Sequence, residues 1–261
     1  MDELKLEIKN ISKGFGEIYN REDILEDFDL KVMSAELLVL VGPSGCGKST
    51  FVNLIAGFDK VDTGSIIMNG KEINKPGNDR MVVFQETALI PWQTTIDNIT
   101  FGPLIRGEDK SAIEKDAETL LEKVGLIEFK DKYPIQLSGG MQRRAELARA
   151  MINKPEVMIM DEPFRGLDAM SRELMQDFFV KLFEENRKTN IFVTSEIDEA
   201  IFLAAEVVVL SGRPATMQFK QTMMETEPRS IDQLYTPRAM ETLNILREQI
   251  KIARQNEETV S

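Results

Sequence analysis

A glycine-rich loop early in the chain has the residue types and the spacing that bind phosphate. Residues 42–49 read GPSGCGKS, which matches the pattern G-x-x-x-x-G-K followed by Ser or Thr at every fixed position. An apolar run precedes this loop and a helical pattern follows it. Glycines let the backbone approach a phosphate without Cβ clashes, and a helix start offers free N–H donors. We expect the following residues to bind a nucleotide: Gly42, Ser44, Gly45, Cys46, Gly47, Lys48, Ser49 and Thr50.

Bound phosphates and a metal ion need side chains with separate roles. Lys48 is expected to contact the β- and γ-phosphates, and Ser49 to bind Mg²⁺. The apolar run 157–160 ends in Asp161 and Glu162. A phosphate-loop site needs one acid for Mg²⁺ and often a second to polarise the attacking water, so Asp161 suits the first role and Glu162 the second. A solvated turn is the alternative, and the phosphate loop upstream favours the catalytic interpretation.

A second segment also suits phosphate. Residues 137–144 read LSGGMQRR and precede a helical pattern. Ser138, Gly139 and Gly140 at a helix start form another set of exposed amides. One nucleotide does not need two such cradles in one chain, whereas two facing chains do, each cradle closing over the other chain's loop. Taken alone, the segment is equally an N-capped helix with a flexible entry.

Together these segments resemble the ATP-binding-cassette (ABC) ATPases, the nucleotide-binding subunits of ABC transporters. The resemblance covers residues from about 5 to 211 and rests on five motifs in order. They are GPSGCGKST, VFQ at 83–85, LSGGM at 137–141, VMIMDE at 157–162 and PFRGLD at 163–168. The resemblance implies ATP and Mg²⁺ as the bound groups and ATP hydrolysis as the activity. DRMVVFQETALIPW together with LSGGM is most similar to importers of the nitrate, sulfonate, taurine and bicarbonate group.

The resemblance also implies roles for single residues. Phe15 falls where the family stacks an aromatic ring on adenine; the alternative is a turn aromatic that covers the small β-subdomain. Gln85 would reach Mg²⁺ and the attacking water. Ser138 and Gly140 would contact the γ-phosphate across a dimer, and Asp168 would link the two sites.

Partners follow from the same resemblance. Transmembrane permease subunits, a second ABC ATPase chain that is identical or different, and a substrate-binding protein would complete the system. The segment 86–99 would line the groove that receives a permease helix, although Trp92 within it suits subdomain core equally well. The chain would then lie at the cytoplasmic face of the inner membrane, held there by the permease.

The stretch 191–200, IFVTSEIDEA, departs from the family at a position that matters for hydrolysis. The family's strand ends Val-Thr-His-Asp, and the histidine contacts the γ-phosphate and aligns water with the glutamate. Here that position is Ser195, which can donate one hydrogen bond but is short and uncharged. Losing one donor aimed at developing charge typically lowers the rate by about 10²–10³-fold. Arg165 also stands where the family usually has a small residue.

Two interpretations of Ser195 therefore stay open. In the first, the site works, with hydrolysis slowed or rescued by a repositioned water. In the second, the chain is a weakened nucleotide-binding subunit that scaffolds or regulates a second, competent ABC ATPase. Glu162 argues against complete loss of the site, because degenerate sites often lose this carboxylate first.

The motifs need elements that bring them together. Residues 3–10 and 25–32 alternate apolar and polar as antiparallel strands do, with residues 13–16 as the turn between them. Further along, strand-length apolar runs alternate with helical patterns, which implies a parallel sheet. The predicted fold class is α/β, a P-loop NTPase core with a mostly parallel sheet, an N-terminal antiparallel β-subdomain and an inserted helical subdomain.

Domain boundaries follow from changes in pattern. Helical periodicity dominates from about residue 87 to 155, which predicts the helical subdomain within an ABC ATPase domain spanning 1–211. Residues 212–261 are predicted to be a C-terminal extension, weakly patterned at first and then helical near Pro237–Gln255. A helix packed on the core is favoured there over a regulatory segment.

Composition excludes several classes of function. The chain has 261 residues and a formal charge of −12, which argues against nucleic acid as a partner and against direct adsorption to anionic lipid. Its one cysteine, Cys46, fits a reducing compartment. No run approaches the ~18 apolar residues of a membrane span, so a cytosolic chain is expected. The sequence contains no histidine, which removes the usual proton carrier from every mechanism.

Overall fold

The computed structural model describes residues 3–17, 19–223 and 236–260, and these form two sheets with helices around them. In chain order the strands and α-helices are β1 (Leu4–Phe15), β2 (Glu22–Met33), β3 (Leu37–Val41), α1 (Lys48–Ala56), β4 (Thr63–Met68), β5 (Lys71–Glu72), β6 (Arg80–Val83), α2 (Thr95–Ile105), α3 (Lys110–Lys123), α4 (Gly139–Met151), β7 (Val157–Asp161), α5 (Ala169–Asn186), β8 (Thr189–Thr194), α6 (Ile197–Leu203), β9 (Glu206–Leu210), β10 (Met217–Thr222) and α7 (Pro237–Val260). Short 3₁₀ helices span Ile127–Phe129 and Pro134–Gln136. None of the described helices is both long and apolar enough to span a membrane.

The larger sheet has six strands in the order β10-β9-β3-β8-β7-β6. All neighbours from β9 to β6 run parallel, and every residue of β3 and β7 is buried, as expected for strands covered on both faces. Because these strands are parallel, the loops after β3, β7 and β8 open at the same edge. Open α/β sheets bind their ligands at this edge.

The smaller sheet is antiparallel, in the order β2-β1-β4-β5. The predicted turn at residues 13–16 is wrong, because β1 continues to Phe15 and Gly14 still pairs with Asp23 of β2. The Gly14 N–H donates to the Asp62 carboxylate at 2.8 Å, and a Cβ at this glycine would lie 2.6 Å from Asp23 Oδ1. Gly14 therefore lies within the paired strand rather than in a turn.

Helices α2, α3 and α4 lie between β6 and β7 in the chain and share a hydrophobic cluster of their own. The apolar residues of α3 and of the segment after it are buried at Leu121, Val124 and Leu126, with Leu120 partly buried. Helix α2 begins with a capping box between Thr94 and Asp97. The helix that begins with the LSGGM segment, α4, thus packs in this helical block and also contributes Leu147 and Ala150 to a core cluster of the larger sheet.

The C-terminal part contains a strand that the sequence pattern did not predict. β10 pairs antiparallel with β9 at the edge of the larger sheet, and its residues are half-buried or exposed. Helix α7 begins at Pro237, as predicted, and buries Leu246, Ile250 and Ala253. Residues 224–235 of the predicted C-terminal extension lie outside the described part of the chain.

Candidate functional site

The loop between β3 and α1 packs tightly against the chain around it at two of its glycines. A Cβ added to Gly42 would lie 2.9 Å from Cys46 Sγ and 3.0 Å from Leu210 Cβ. Gly47 has a φ of 111°, and a Cβ there would lie 2.7 Å from Ile24 Cγ2. Both positions require glycine, the second also because L side chains rarely adopt this backbone conformation.

No side chain of the helix caps or neutralises the N-terminus of α1. Its N-cap residue, Gly47, offers no side-chain cap, and the first turn contains no acidic residue. The first N–H groups of α1 are therefore available to an anion, which the helix dipole also favours. The Cys46 side chain is buried in the core beside Gly42, so only its backbone can contact a ligand in the loop. Four further expected contacts are exposed or half-buried on the solvent side: Ser44, Gly45, Ser49 and Thr50.

Lys48 is 5% exposed and links the loop to the carboxylates after β7. Its Nζ donates to the carbonyl oxygens of Gly42 at 3.0 Å and Pro43 at 2.7 Å, and lies 3.6 Å from Glu162 Oε1. An ammonium group has three donors, and these three oxygens lie around it. A positive charge thus stands between the phosphate loop and Glu162.

Asp161, the last residue of β7, is buried, and its carboxylate interacts with the hydroxyl of Ser49. Burial raises the pKa of Asp161, assisted by the charge of Glu162 and opposed by Ser49 and Lys48. Its Oδ1 has no hydrogen-bond partner within the described residues. A buried carboxylate oxygen without a partner, next to a hydroxyl, is a pair of oxygen ligands that Mg²⁺ accepts. The residues therefore fit the ion.

The protein supplies only part of such a metal site. Across residues 3–17, 19–223 and 236–260, no group of three or more His, Cys, Asp or Glu side chains is arranged to hold a metal. Mg²⁺ usually keeps several waters and is bound through one or two carboxylates plus substrate phosphates. Asp161 and Ser49 match that incomplete kind of site.

Glu162 has a donor on each carboxylate oxygen. Ser195 Oγ donates to Oε1 at 2.6 Å, and Arg165 Nη1 donates to Oε2 at 2.6 Å. Burial alone would raise the pKa of Glu162, but these two hydrogen bonds and the charge of Lys48 hold it below its ordinary value. Glu162 also has a φ of 44°, and residues held in such sparsely populated conformations cluster at functional sites.

Ser195 is placed on Glu162 by the sheet and by a tight local turn. Val193 of β8 pairs with Asp161 of β7, so the two strands end side by side. Thr194 accepts the N–H of Glu196 at 3.0 Å, which folds the chain around Ser195. A cavity of about 140 Å³ opens next to this contact, large enough for several waters. Its lining residues are Ser44, Glu162, Arg165, Arg172, Thr194, Ser195, Glu196 and Glu199.

The LSGGM segment lies in the helical block, at the start of α4. Ser138 is the N-cap of α4, and its Oγ accepts the N–H of Met141 at 3.3 Å. A Cβ added to Gly139 would meet Leu167 at an ordinary 3.6 Å, and one added to Gly140 would meet nothing within 4 Å. The packing of this chain therefore does not explain why residue 140 is glycine.

Phe15 lies at the end of β1 with 44% of its surface exposed. Lys13 Nζ lies 4.9 Å from the ring centroid, a cation–π distance. The ring thus keeps an exposed surface on which a flat group can stack.

Comparisons with known proteins decide the family. A family model described as ABC transporter matches residues 25–165. An uncharacterized ABC transporter ATP-binding protein of Methanocaldococcus jannaschii is 40% identical over 95% of this chain and 93% of its own length. The taurine import ATP-binding protein TauB of Escherichia coli (strain K12) is 45% identical over 75% of this chain and 77% of its own length. The chain belongs to the ABC transporter ATP-binding family.

The structure of this ABC cassette is similar to a solved one. A dimeric ATP-binding cassette in a post-hydrolysis state, bound to ADP and Pi, has a TM-score of 0.73 and 28% identity. The match covers 85% of this chain and 100% of that chain. The predicted α/β class with its P-loop core is confirmed.

The cassette's Gln85 lies in an exposed segment after β6 that is tied to α4. Arg143 Nη1 donates to the carbonyl oxygen of Phe84 and to Glu146 Oε2, each at 2.7 Å, and Nη2 donates to the carbonyl oxygen of Gln85. Glu146 Oε1 in turn accepts the N–H of Ala88 at 2.5 Å. The Gln85 segment and the helix that begins with LSGGM are therefore connected by one buried pair.

Sequence reasoning missed Arg143 and Glu146. The available signal was their position, because both charged residues fall among the buried Ala145, Leu147 and Ala148 of α4. Charged residues are almost never fully buried unless paired, so such a helix face predicts a charge pair.

A groove of about 330 Å³ lies next to the Gln85 segment. Phe58 and Phe84 stack at its edge with ring centroids 6.1 Å apart, and both rings are exposed. Arg80 and Arg149 also line it. Trp92 is 78% exposed, which rules out the alternative of a subdomain core residue.

Proposed function

We propose that this chain is the ATP-hydrolysing subunit of a membrane importer for a small anion or sulfonate-like solute, and that it drives permease subunits. The observation that carries the proposal is the 3.6 Å approach of Lys48 Nζ to Glu162 Oε1. It places the lysine of the phosphate loop and a carboxylate suited to activate water around one point. That point is where the terminal phosphate of ATP would react.

Binding of ATP would use the loop backbone first. The open N–H groups at the start of α1 would take the phosphate oxygens, and Lys48 would exchange its carbonyl contacts for the β- and γ-phosphates. Mg²⁺, held by Asp161, Ser49 and Gln85, would neutralise phosphate charge. The exposed ring of Phe15 would stack on the adenine.

Glu162 is suited to act as the general base for the attacking water. Its lowered pKa keeps the carboxylate ionised at neutral pH. A carboxylate has about four acceptor positions, so a water can bind although Ser195 and Arg165 each occupy one. As the water attacks the γ-phosphorus, its proton would be held at Glu162, and ADP would leave.

A second cassette chain would complete the site. Gly140 has open space around its Cα, and Ser138 is exposed at the start of α4, where N–H groups favour an anion. The similar solved cassette is a dimer. We infer that Ser138, Gly139 and Gly140 of one chain contact the γ-phosphate held by the other.

Transport would depend on proteins outside this chain. The groove edged by Phe58 and Phe84 offers exposed aromatic surface for a permease helix, which would hold the chain at the cytoplasmic face of the inner membrane. The TauB relatives are named for taurine import. Their names support a sulfonate as the solute, with a substrate-binding protein in the same system.

The first test is Mg-ATP turnover by the purified chain, with Glu162→Gln as the blank. We expect turnover above the blank, and a loss of about 10²–10⁴-fold in the variant, because a general base contributes on this scale. Binding of a fluorescent ATP analogue should be retained, since the loop amides are untouched.

Ser195→His separates the two interpretations left open by the sequence. If the wild-type chain turns over, Ser195 is tolerated. If it does not, and Ser195→His restores turnover, the chain is the weakened subunit of a mixed pair, an alternative that the comparisons do not support.

The solute class needs a cellular test. Cells whose copy of the chain carries Glu162→Gln should lose uptake of radiolabelled taurine while keeping uptake of a labelled amino acid. Unchanged taurine uptake would exclude this solute without affecting the ATPase proposal.

A further inference from the structure

We propose that Arg165 is a positioning residue for ATP hydrolysis, which holds Glu162 on the carboxylate oxygen that Ser195 does not contact and supplies the fixed positive charge that a serine lacks. This inference rests on the proposed hydrolysis. It concerns a residue that lies outside the phosphate loop, the metal ligands and the base itself.

Glu162 accepts a hydrogen bond at each of its two carboxylate oxygens. Arg165 Nη1 lies 2.6 Å from Oε2 of Glu162, and Ser195 Oγ lies 2.6 Å from Oε1. A carboxylate held at one oxygen can still rotate about its last torsion, whereas donors on both oxygens fix its plane. Both hydrogen bonds are charge-assisted because Glu162 is ionised, and Arg165 also brings a full positive charge to its oxygen.

The local backbone places Arg165 for this contact. Its N–H donates to the carbonyl oxygen of Glu162 at 3.1 Å, which closes a turn over Pro163 and Phe164. Phe164 is fully buried and packs against Phe179 and Phe192, with ring centroids 6.3 and 5.3 Å away. The turn is therefore anchored in the core, and the Arg165 side chain starts from a fixed position.

Arg165 also brings a positive charge to Glu162. The whole sequence contains no histidine, and Ser195 is neutral. Apart from Lys48, Arg165 is the cation in contact with Glu162 among the described residues. A guanidinium stays charged at every ordinary pH. Arg165 thus places a permanent positive charge beside Glu162, in a chain that has no histidine to supply one.

Arg172 is the matched control for that charge. It lines the same small cavity as Arg165, but its Nη2 donates to the carbonyl oxygen of Leu167 at 3.2 Å. It makes no ion pair with Glu162 in the described structure. If any arginine near the cavity sufficed, the two substitutions would have equal effects.

The experiment compares steady-state ATP hydrolysis by Arg165→Ala, Arg165→Lys and Arg172→Ala. We expect Arg165→Ala to lower kcat by about 10–100-fold with KM for ATP within about twofold, because misplacing a catalytic group has effects of this size. Arg165→Lys should recover part of the loss, since it keeps the charge without the planar fork. Arg172→Ala should stay within about threefold of the wild-type chain.

A double substitution tests whether both holds act through Glu162. Arg165→Ala combined with Ser195→Ala should lose less than the product of the two separate factors, since residues acting as a unit are not additive. Adding Arg165→Ala to Glu162→Gln should change kcat no further. Ser195→His should restore turnover in the Arg165→Ala chain, because protonated histidine returns a charge to the site.

The outcomes separate this inference from the proposed function. Wild-type turnover with an unchanged Arg165→Ala variant would overturn the inference alone. A faster variant would also overturn it, and would show that the contact restrains Glu162. A raised KM with unchanged kcat would also overturn it, since Arg165 would then act in binding. Absence of wild-type turnover would overturn both.

Discussion

Two arginine–glutamate pairs, each three residues apart in the chain, have nearly the same N–O distance but different surroundings. Arg143 and Glu146 lie within α4 at 2.7 Å, with side chains 8% and 6% exposed. Arg165 and Glu162 lie in the loop after β7 at 2.6 Å, and the arginine is 57% exposed. The contact alone does not distinguish a structural pair from a functional one. The environment does, because the interaction of two charges depends strongly on their access to water.

The two glutamates also titrate in opposite directions. Burial raises the pKa of Glu146, although the charge of Arg143 and the Ala88 N–H oppose it. At Glu162, burial acts the same way, but the Ser195 and Arg165 hydrogen bonds prevail and the pKa is lowered. Desolvation therefore dominates the pKa of Glu146, and hydrogen-bond donors dominate the pKa of Glu162. The first pair holds two segments together, and the second keeps a carboxylate ionised.

Removing one partner of the buried pair should give the largest change in stability. Arg143→Ala leaves Glu146 buried without its cation and releases the carbonyl oxygens of Phe84 and Gln85. We expect the free energy of unfolding to fall by about 3–5 kcal/mol, the usual effect of leaving one buried charge unpaired. Urea denaturation of the nucleotide-free chain at pH 7 measures it.

Arg144→Ala is the neighbouring control. Arg144 donates one hydrogen bond, to the Val124 carbonyl oxygen at 3.2 Å, so its loss should be about 1 kcal/mol. Equal losses in the two variants would mean that the buried pair has no special role.

The sequence predicts one of these environments better than the other. The phosphate loop, Asp161 and Glu162 were predicted because their spacing is dictated by local backbone geometry and by the ends of neighbouring parallel strands. The Arg143 contacts were not, since its carbonyl acceptors at Phe84 and Gln85 come from a segment 58–59 residues away in the chain. Tertiary packing chooses such partners, and no pattern within a helix records them.

The same reasoning explains the missed elements of the fold. β10 has no clean alternation because it is an edge strand with half-exposed residues on both faces. Gly14 looked like turn chemistry, but its surroundings in β1 depend on Asp62, which is distant in sequence. The Ser195 position was singled out from the sequence, whereas its contact with Glu162 needed the register of β7 and β8.

A third carboxyl group, that of Glu36, has no arginine among the groups that shift its pKa and can be compared with the two pairs. Glu36 precedes β3 and lies beside Glu206, which pairs with Lys220 at 2.7 Å. Burial, and then the charge of Glu206, raise the pKa of Glu36 to about 7, against a hydrogen bond from the Met33 N–H and the charge of Lys220. The folded chain therefore binds a proton that the unfolded chain releases above about pH 4.5.

The sign of the pH effect follows from that proton. Stability should decrease as the pH rises from about 4.5 to 7 and then level off, because the folded state loses the proton it had retained. Glu36→Gln should flatten this part of the profile and raise the unfolding free energy at pH 8 by about 1–2 kcal/mol, after allowance for partial exposure. Denaturation at pH 5, 6, 7 and 8 measures it, with Glu72→Gln on exposed β5 as the control. An unchanged slope would exclude Glu36 as its source.

Breaking the exposed pair should give the smallest change in stability. In Arg165→Ala, Glu162 keeps its hydrogen bond from Ser195 at 2.6 Å and the charge of Lys48 at 3.6 Å, so no buried charge is left without a partner. The half-exposed guanidinium returns to water, and such pairs contribute about 0–1 kcal/mol. We therefore expect the free energy of unfolding to change by less than about 1 kcal/mol. The same urea denaturation assay should show a loss of about 3–5 kcal/mol for Arg143→Ala. A loss as large as that of Arg143→Ala would show that Arg165 maintains the fold of the loop, and any decrease in its turnover would then follow from lost structure rather than from a misplaced Glu162.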